Sequence, residues 1–133
     1  LQGRHFALWG LAFKPDTDDV RESPSRPLLA DLVAAGATVT AYDPIAMHEA
    51  GHIFEGETRL RFAETAIDAL RDADALVIVT EWKEFRSADL ETIKRALKTP
   101  AIFDGRNLYT PSEVEAAGLA YYGIGRGRSL HAQ

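Results

Sequence analysis

A doubly wound α/β fold, a parallel sheet of about six strands with helices on both faces, is the architecture that this 133-residue sequence predicts. Short apolar runs rich in Val, Ile and aromatic residues alternate with stretches of helical periodicity, the signature of βαβ units. Ionisable residues crowd where a first strand should end, in GLAFKPDTDDVRESP from Gly10 to Pro24. In open α/β sheets ligands bind there, because side chains and free backbone N–H groups converge at the carboxyl ends of strands. The length suits one core, since domains cluster at roughly 100–150 residues.

The first strand is predicted over Phe6–Trp9, an apolar run stopped by Gly10. A helix follows over Pro24–Ala35, where Leu28, Leu29, Leu32 and Val33 recur at helical spacing as a core stripe. Ser23 reads as its N-cap, Pro24 as the first helical residue and Gly36 as its stop. Thr38–Tyr42 and Leu60–Phe62 are the next strands, with a helix over Ala66–Ala73 leading into Ala75–Thr80. That strand is the least polar and reads as central, buried on both faces. A helix over Asp89–Leu97, a strand over Ala101–Phe103, a helix over Pro111–Ala117 and a strand over Ala120–Tyr122 complete the pattern. Glu113 and Glu115 read as the solvated side of the last helix, and Arg126, Arg128 and His131 as a frayed terminus in preference to an interaction tail.

With right-handed crossovers the first and fourth strands lie side by side, where the winding reverses. The predicted crevice is walled by the Gly10–Arg21 loop, by Thr80–Trp82 and by Phe103–Arg106. Lys14, Arg21 and Arg106 around it suit a phosphorylated ligand, because arginine forks match phosphate oxygens and lysine adds a point charge.

Composition narrows the classes. The net charge of −5, 20 acids against 15 Lys and Arg, argues against nonspecific nucleic-acid binding, so an anionic ligand needs a local basic pocket. No apolar run approaches the roughly 18 residues of a membrane span. With 46% hydrophobic and 26% charged residues the chain is expected to fold in water. No cysteine is present, which removes disulfides, thiolate metal sites and cysteine nucleophiles. The first residues do not resemble a secretory signal, so cytoplasmic residence is the default expectation. The chain enters a strand almost at once without an initiator Met, and is expected to be a piece of a longer protein.

Three motifs have both a chemical and a structural reading. Asp43, ending the second strand, sits where dinucleotide-binding folds keep an acid for the adenosine ribose. The first turn, however, reads GLAFKP instead of G-x-G-x-x-G, and Phe13 would block the approach of a pyrophosphate. The structural reading of Asp43 is a turn or cap acid before Pro44. His48–His52, HEAGH, matches the zinc-protease pattern H-E-x-x-H, but its helix would be short, with Gly51 inside it, and no third ligand stands out. Exposed histidines on a surface helix are expected.

Asp16-Thr17-Asp18-Asp19-Val20 resembles the Asp-x-Asp-x-Val signature of the haloacid dehalogenase-type phosphotransferases, in which one Asp is the nucleophile and others hold Mg²⁺. That alternative, a Mg²⁺-dependent phosphohydrolase using Asp16 and Asp18, needs its nucleophile directly after the strand and a late pair of acids. Here Phe13, Lys14 and Pro15 intervene and the late pair is reduced to Asp104. The bland reading is that the acids satisfy donors within their own loop and pair with Arg21.

The GLAFKPDTDDVRESP run resembles the C-terminal domain of the UDP-glucose/GDP-mannose dehydrogenases, whose hallmark there is G-[LF]-[AT]-F-K-x-x-T-x-D-x-R-x-[SA]. Further matches are spread in order along the chain: Ala41-Tyr42-Asp43-Pro44, Thr80-Glu81-Trp82, Phe103-Asp104-Gly105-Arg106-Asn107, and Tyr121-Tyr122-Gly123-Ile124-Gly125-Arg126. The FDGRN segment looks most like the UDP-glucose branch. The resemblance implies a Rossmann-like domain, residues 1–133, that binds the UDP part of UDP-glucose in a homo-oligomeric enzyme. That enzyme would use NAD to oxidise the C6 alcohol to a carboxylate in two steps, through a thiol-bound intermediate. The NAD-binding domain and the catalytic cysteine would lie N-terminal to this region, so the chain alone would be inactive. Position by position, Phe13, Lys14 and Arg106 match substrate-contacting residues, and Arg21 matches an arginine that reaches the NAD. Gly10 and Gly105 would let backbone approach the ligand, and Asp19 would partner Arg21.

Overall fold

The computed structural model describes residues 3–12, 25–54, 56–80, 82–105 and 108–123. Six strands, β1 His5–Trp9, β2 Thr38–Tyr42, β3 Leu60–Phe62, β4 Ala75–Ile78, β5 Ala101–Asp104 and β6 Ala120–Gly123, form one sheet in the order β3-β2-β1-β4-β5-β6. Every pairing is parallel. Trp9 lies level with Tyr42 on one side and Ile78 on the other, so the exits of β1, β2 and β4 meet at one edge. The order reverses between β1 and β4, the doubly wound arrangement with its switch point where the sequence predicts it.

The helices are α1 Ser25–Ala34, α2 Met47–Ile53, α3 Ala66–Leu70, α4 Lys83–Arg86, α5 Leu90–Ala96 and α6 Pro111–Ala116. Alternation along β1 sends Phe6 and Leu8 to one face and Ala7 and Trp9 to the other. Leu29 and Leu32 of α1 and Ala50 of α2 cover the first face, with Val39 and Val77. Leu70 of α3, Phe85 of α4, Ile93 of α5 and Val114 of α6 cover the second, with Leu76, Ile78 and Ile102. All four residues of β4 are buried, which agrees with its reading as a central strand. Leu28 and Val33 are only half-buried, so the core stripe of α1 is narrower than its spacing predicts.

The ends of α1 and α5 follow local rules. Gly36 N–H donates to Val33 O and Ala37 N–H to Leu32 O, both at 3.0 Å, closing α1 as a Schellman motif. Asp89, predicted as the first residue of α5, is its N-cap and accepts from Glu91 N–H at 3.3 Å. Ser23 and Pro24, predicted to start α1, lie outside the described residues. The helix predicted to reach Ala73 stops at Leu70: Asp72 takes a φ of 62°, a left-handed turn that Asp tolerates better than most residues. This turn brings Asp74 against β1, where Asp74 N–H donates to His5 O and its carboxylate accepts from His5 N–H at 2.8 Å.

The single-turn α4 is absent from the sequence reading, because four residues carry no periodicity to read. It matters for packing: Phe85 stacks on Trp9 with ring centroids 4.9 Å apart and meets Tyr42 edge-on at 6.2 Å. The indole N–H of Trp9 donates to Ala66 O at 2.9 Å, so the largest core side chain ties α3 to β1 as well. No helix among the described residues is long and apolar enough to cross a membrane.

Candidate functional site

Four polar side chains, apart from aromatic ones, are fully buried among the described residues: Ser25, Asp43, Thr80 and Asp104. All four stand at the carboxyl edge of the sheet or on the helix entered from it. A buried polar group costs free energy unless its hydrogen bonds are made, so what these four bind defines what the edge is built to hold.

Asp43 follows β2 and uses both oxygens on backbone. Oδ2 accepts from Leu11 N–H at 2.8 Å and Ala12 N–H at 3.3 Å; Oδ1 accepts from Ile45 N–H at 2.9 Å and Ala46 N–H at 2.8 Å. One carboxylate thus joins the turn after β1 to the entry of α2. Thr80 donates its hydroxyl to Ala12 O at 2.8 Å, Ser25 donates to Leu11 O at 2.7 Å, and Gly10 N–H donates to Tyr42 O at 2.8 Å. The root Gly10-Leu11-Ala12 is therefore held from β2, from the end of β4 and from α1 at once.

Gly10 has a φ of 99°, and a Cβ there would come within 2.4 Å of Thr80 Oγ1 and 2.7 Å of Thr80 N. Only glycine combines that backbone with that proximity. A Cβ on Gly105 would lie 3.0 Å from Ile78 O, which Gly105 N–H meets at 2.8 Å. Both glycines were expected to open the backbone to a ligand. What they approach in the structure is a neighbouring strand exit.

Asp104 ends β5 and ties Tyr109 back to the strand's end. Its Oδ2 accepts from Tyr109 N–H at 3.1 Å and from Tyr121 O–H at 2.8 Å, and Tyr121 O–H also lies 3.2 Å from Tyr109 O. The Tyr109 hydroxyl donates to Phe85 O, which links this turn to α4. Burial, reinforced by the charge of Asp104, pushes the Tyr109 phenol well above its ordinary range, so it stays a donor. At the mouth of α4 the Tyr42 phenol is pushed up to about 12 by burial and by the Glu84 carboxylate, which it meets at 3.1 Å. The indole N–H of Trp82 is buried without a partner among the described residues, a donor left at the predicted wall.

Phe13, Lys14, Arg21 and Arg106, like Asp16, Asp18 and Asp19, lie outside the described residues. What the structure does show is that the strand ends preceding them in sequence, Trp9 and Asp104, flank Ile78 at one edge: Trp9 pairs with Ile78, and Ile78 with Asp104. Of the supports, sequence reasoning finds only Asp43, as a turn or cap acid. Ser25 carries no motif, and Thr80 reads as part of Thr80-Glu81-Trp82 at the crevice wall, with no sign that its hydroxyl would hold Ala12 O.

Asp43 proves to be a turn and cap acid. With four N–H groups on its two oxygens, and with Gly10 packed on Thr80, the described residues do not form the acid and open glycine turn that a dinucleotide of the usual kind requires. His48 and His52 are exposed on α2, as expected. Among the described residues no group of three or more His, Cys, Asp or Glu could hold a metal ion.

Comparison with known proteins agrees with this geometry. A family model described as the UDP-glucose/GDP-mannose dehydrogenase family, UDP binding domain, matches residues 7–111. The UDP-glucose 6-dehydrogenase of Pseudomonas aeruginosa is 47% identical over 133 residues, covering 98% of this chain and 29% of that protein. Among solved structures, NDP-N-acetyl-D-galactosaminuronic acid dehydrogenase from Methanosarcina mazei superposes with a TM-score of 0.78 at 30% identity, covering 94% of this chain and 25% of that one. A UDP-glucose dehydrogenase from Pyrobaculum islandicum gives 0.71 at 32% identity, covering 91% and 25%. The chain thus spans about a quarter to three tenths of these relatives. The phosphohydrolase alternative at Asp16 and Asp18 is withdrawn: the match runs through that stretch, and the late acid it needed, Asp104, holds a turn.

Proposed function

The chain belongs to the UDP-glucose/GDP-mannose dehydrogenase family as its UDP binding domain, and from that premise we propose that residues 1–133 bind the UDP part of UDP-glucose for an NAD-dependent UDP-glucose 6-dehydrogenase. In this reading Lys14 and Arg106 offset the diphosphate charge, each through charge-assisted hydrogen bonds, while Phe13 packs on the nucleotide. The chain's net charge of −5 makes such local cations necessary. Arg21 reaches toward NAD held mainly by a domain outside this chain. NAD bound there would supply the hydride acceptor; this chain's residues grip the far end of the substrate and fix its position against that domain. The parent is a cytoplasmic homo-oligomer, and its oxidation of UDP-glucose to UDP-glucuronate needs a thiol that a chain without cysteine cannot supply. The isolated chain therefore binds without turnover.

The observation that supports the reading best is the continuous match over residues 7–111, which contains all four residues. The pinned root at Gly10-Leu11-Ala12 adds a physical reason: a loop whose origin is fixed loses less entropy when its side chains engage a ligand. Titration calorimetry of the chain with UDP tests it. Lys14→Ala and Arg106→Ala are each expected to weaken binding by about tenfold or more, the value of one charged hydrogen bond. Equal affinities in parent and variants would overturn the residue assignments.

A further inference from the structure

The nucleotide-sugar reading leaves two histidines of α2 unused. His48 and His52 lie one turn apart on an exposed face, where i and i+4 side chains stand one above the other. Their Nε2 atoms are 3.3 Å apart, and their rings meet edge-on at 88° with centroids separated by 4.7 Å. In the apo chain one ring N–H can donate to the other ring, which satisfies one nitrogen of each. The same separation has a second consequence. A tetrahedral ion about 2.0–2.1 Å from two imidazole nitrogens holds them about 3.3–3.4 Å apart.

The surroundings leave room for an ion with its waters. A cavity of about 590 Å³ opens beside the pair, lined also by Met47, Phe62 and Glu64. A Cβ added at Gly51, between the two histidines, would meet nothing within 4 Å. The helix itself would profit from a clamp: it has seven residues, and its N-cap Ala46 makes no side-chain cap hydrogen bond.

We propose that His48 and His52 form a two-nitrogen site for a late first-row divalent cation such as Zn²⁺ or Ni²⁺, with water completing the coordination and Glu64 facing the bound water. Imidazole nitrogen suits these ions, and their affinity for it rises toward the end of the row. The site is not that of a zinc protease, which needs three protein ligands; no third His, Cys, Asp or Glu completes a group among the described residues. Its effect is structural: the ion bridges successive turns of α2, and because it binds the folded chain in preference to the unfolded one it raises stability with concentration.

The test uses the untagged 133-residue chain, stripped with chelator and titrated calorimetrically with ZnCl₂ and with NiCl₂. His48→Gln and His52→Gln are surface changes whose metal-free melting temperature reports that the fold is kept. One ion per parent chain is expected, with affinity reduced by about tenfold or more in either variant. ZnCl₂ should raise Tm in the parent and leave it unchanged in both variants. Absence of saturable binding, or binding by either variant equal to that of the parent, would overturn the proposal.

Discussion

Asp43 stands where a dinucleotide fold would spend a carboxylate on a ribose, and here the same position serves backbone. Because Oδ2 holds the turn after β1 and Oδ1 holds the entry to α2, exchanging one oxygen for NH₂ sets a donor against donors. Asp43→Asn is therefore expected to cost about 2–4 kcal/mol, from up to two buried N–H groups left unsatisfied. Urea denaturation measures this, and a loss under about 0.5 kcal/mol, the range of a neutral surface change, would refute the clamp. At the opposite edge His5 lies between two hydroxyls, with Nδ1 2.7 Å from Thr38 Oγ1 and Nε2 2.9 Å from Thr40 Oγ1. Burial holds its pKa below the ordinary 6.5, helped by the charges of Arg61 and Lys98 and opposed by Asp74 and Asp72. The unfolded chain then takes up this proton at a higher pH than the folded one, so stability is full above about 6.5 and falls as pH drops through the folded value. Thermal melts should show Tm falling between pH 7.5 and 5.5 more steeply in the parent than in His5→Gln.

The elements differ in how plainly their residues announce them. The six strands are legible because apolar runs bounded by turn residues survive any tertiary context, and each observed strand lies within two residues of its predicted ends. α1 is legible from its Leu spacing, and α6 from Pro111 at its start and Gly118 beyond its end. α4 is not, since it is one turn held by what it packs against: Phe85 between Trp9 and Tyr42, and Glu84 on the Tyr42 hydroxyl. Phe85→Ala removes a fully buried ring from that stack and is expected to cost about 3–5 kcal/mol in chemical denaturation. A change within about 0.5 kcal/mol, the range of surface substitutions, would mean that α4 is not part of the core.

For the molecule as a whole, the division of labour in the proposed enzyme makes a sharp contrast between two nucleotides. In the proposed reading this chain binds the diphosphate at the switch point, while its first turn is closed by Thr80 and its ribose-position acid is occupied. Calorimetry should therefore register UDP and give no heat with NAD; NAD binding to the isolated chain would contradict the assignment of that cofactor to another domain. The sequence by itself determined the alternating order of strands and helices, the parallel sheet, the switch point between β1 and β4 and, through motifs spread along the chain, the family. These are local matters, written in residue spacing and in contiguous words such as GLAFKP and FDGRN. Only the tertiary structure decided what the buried polar residues do. Asp43 reaches Leu11 across 32 positions and Thr80 reaches Ala12 across 68, and such partners meet only once the register of β1 against β2 and β4 is set. The same holds for the histidines of α2, whose spacing is visible in sequence but whose 3.3 Å separation depends on the rotamers adopted on a folded helix.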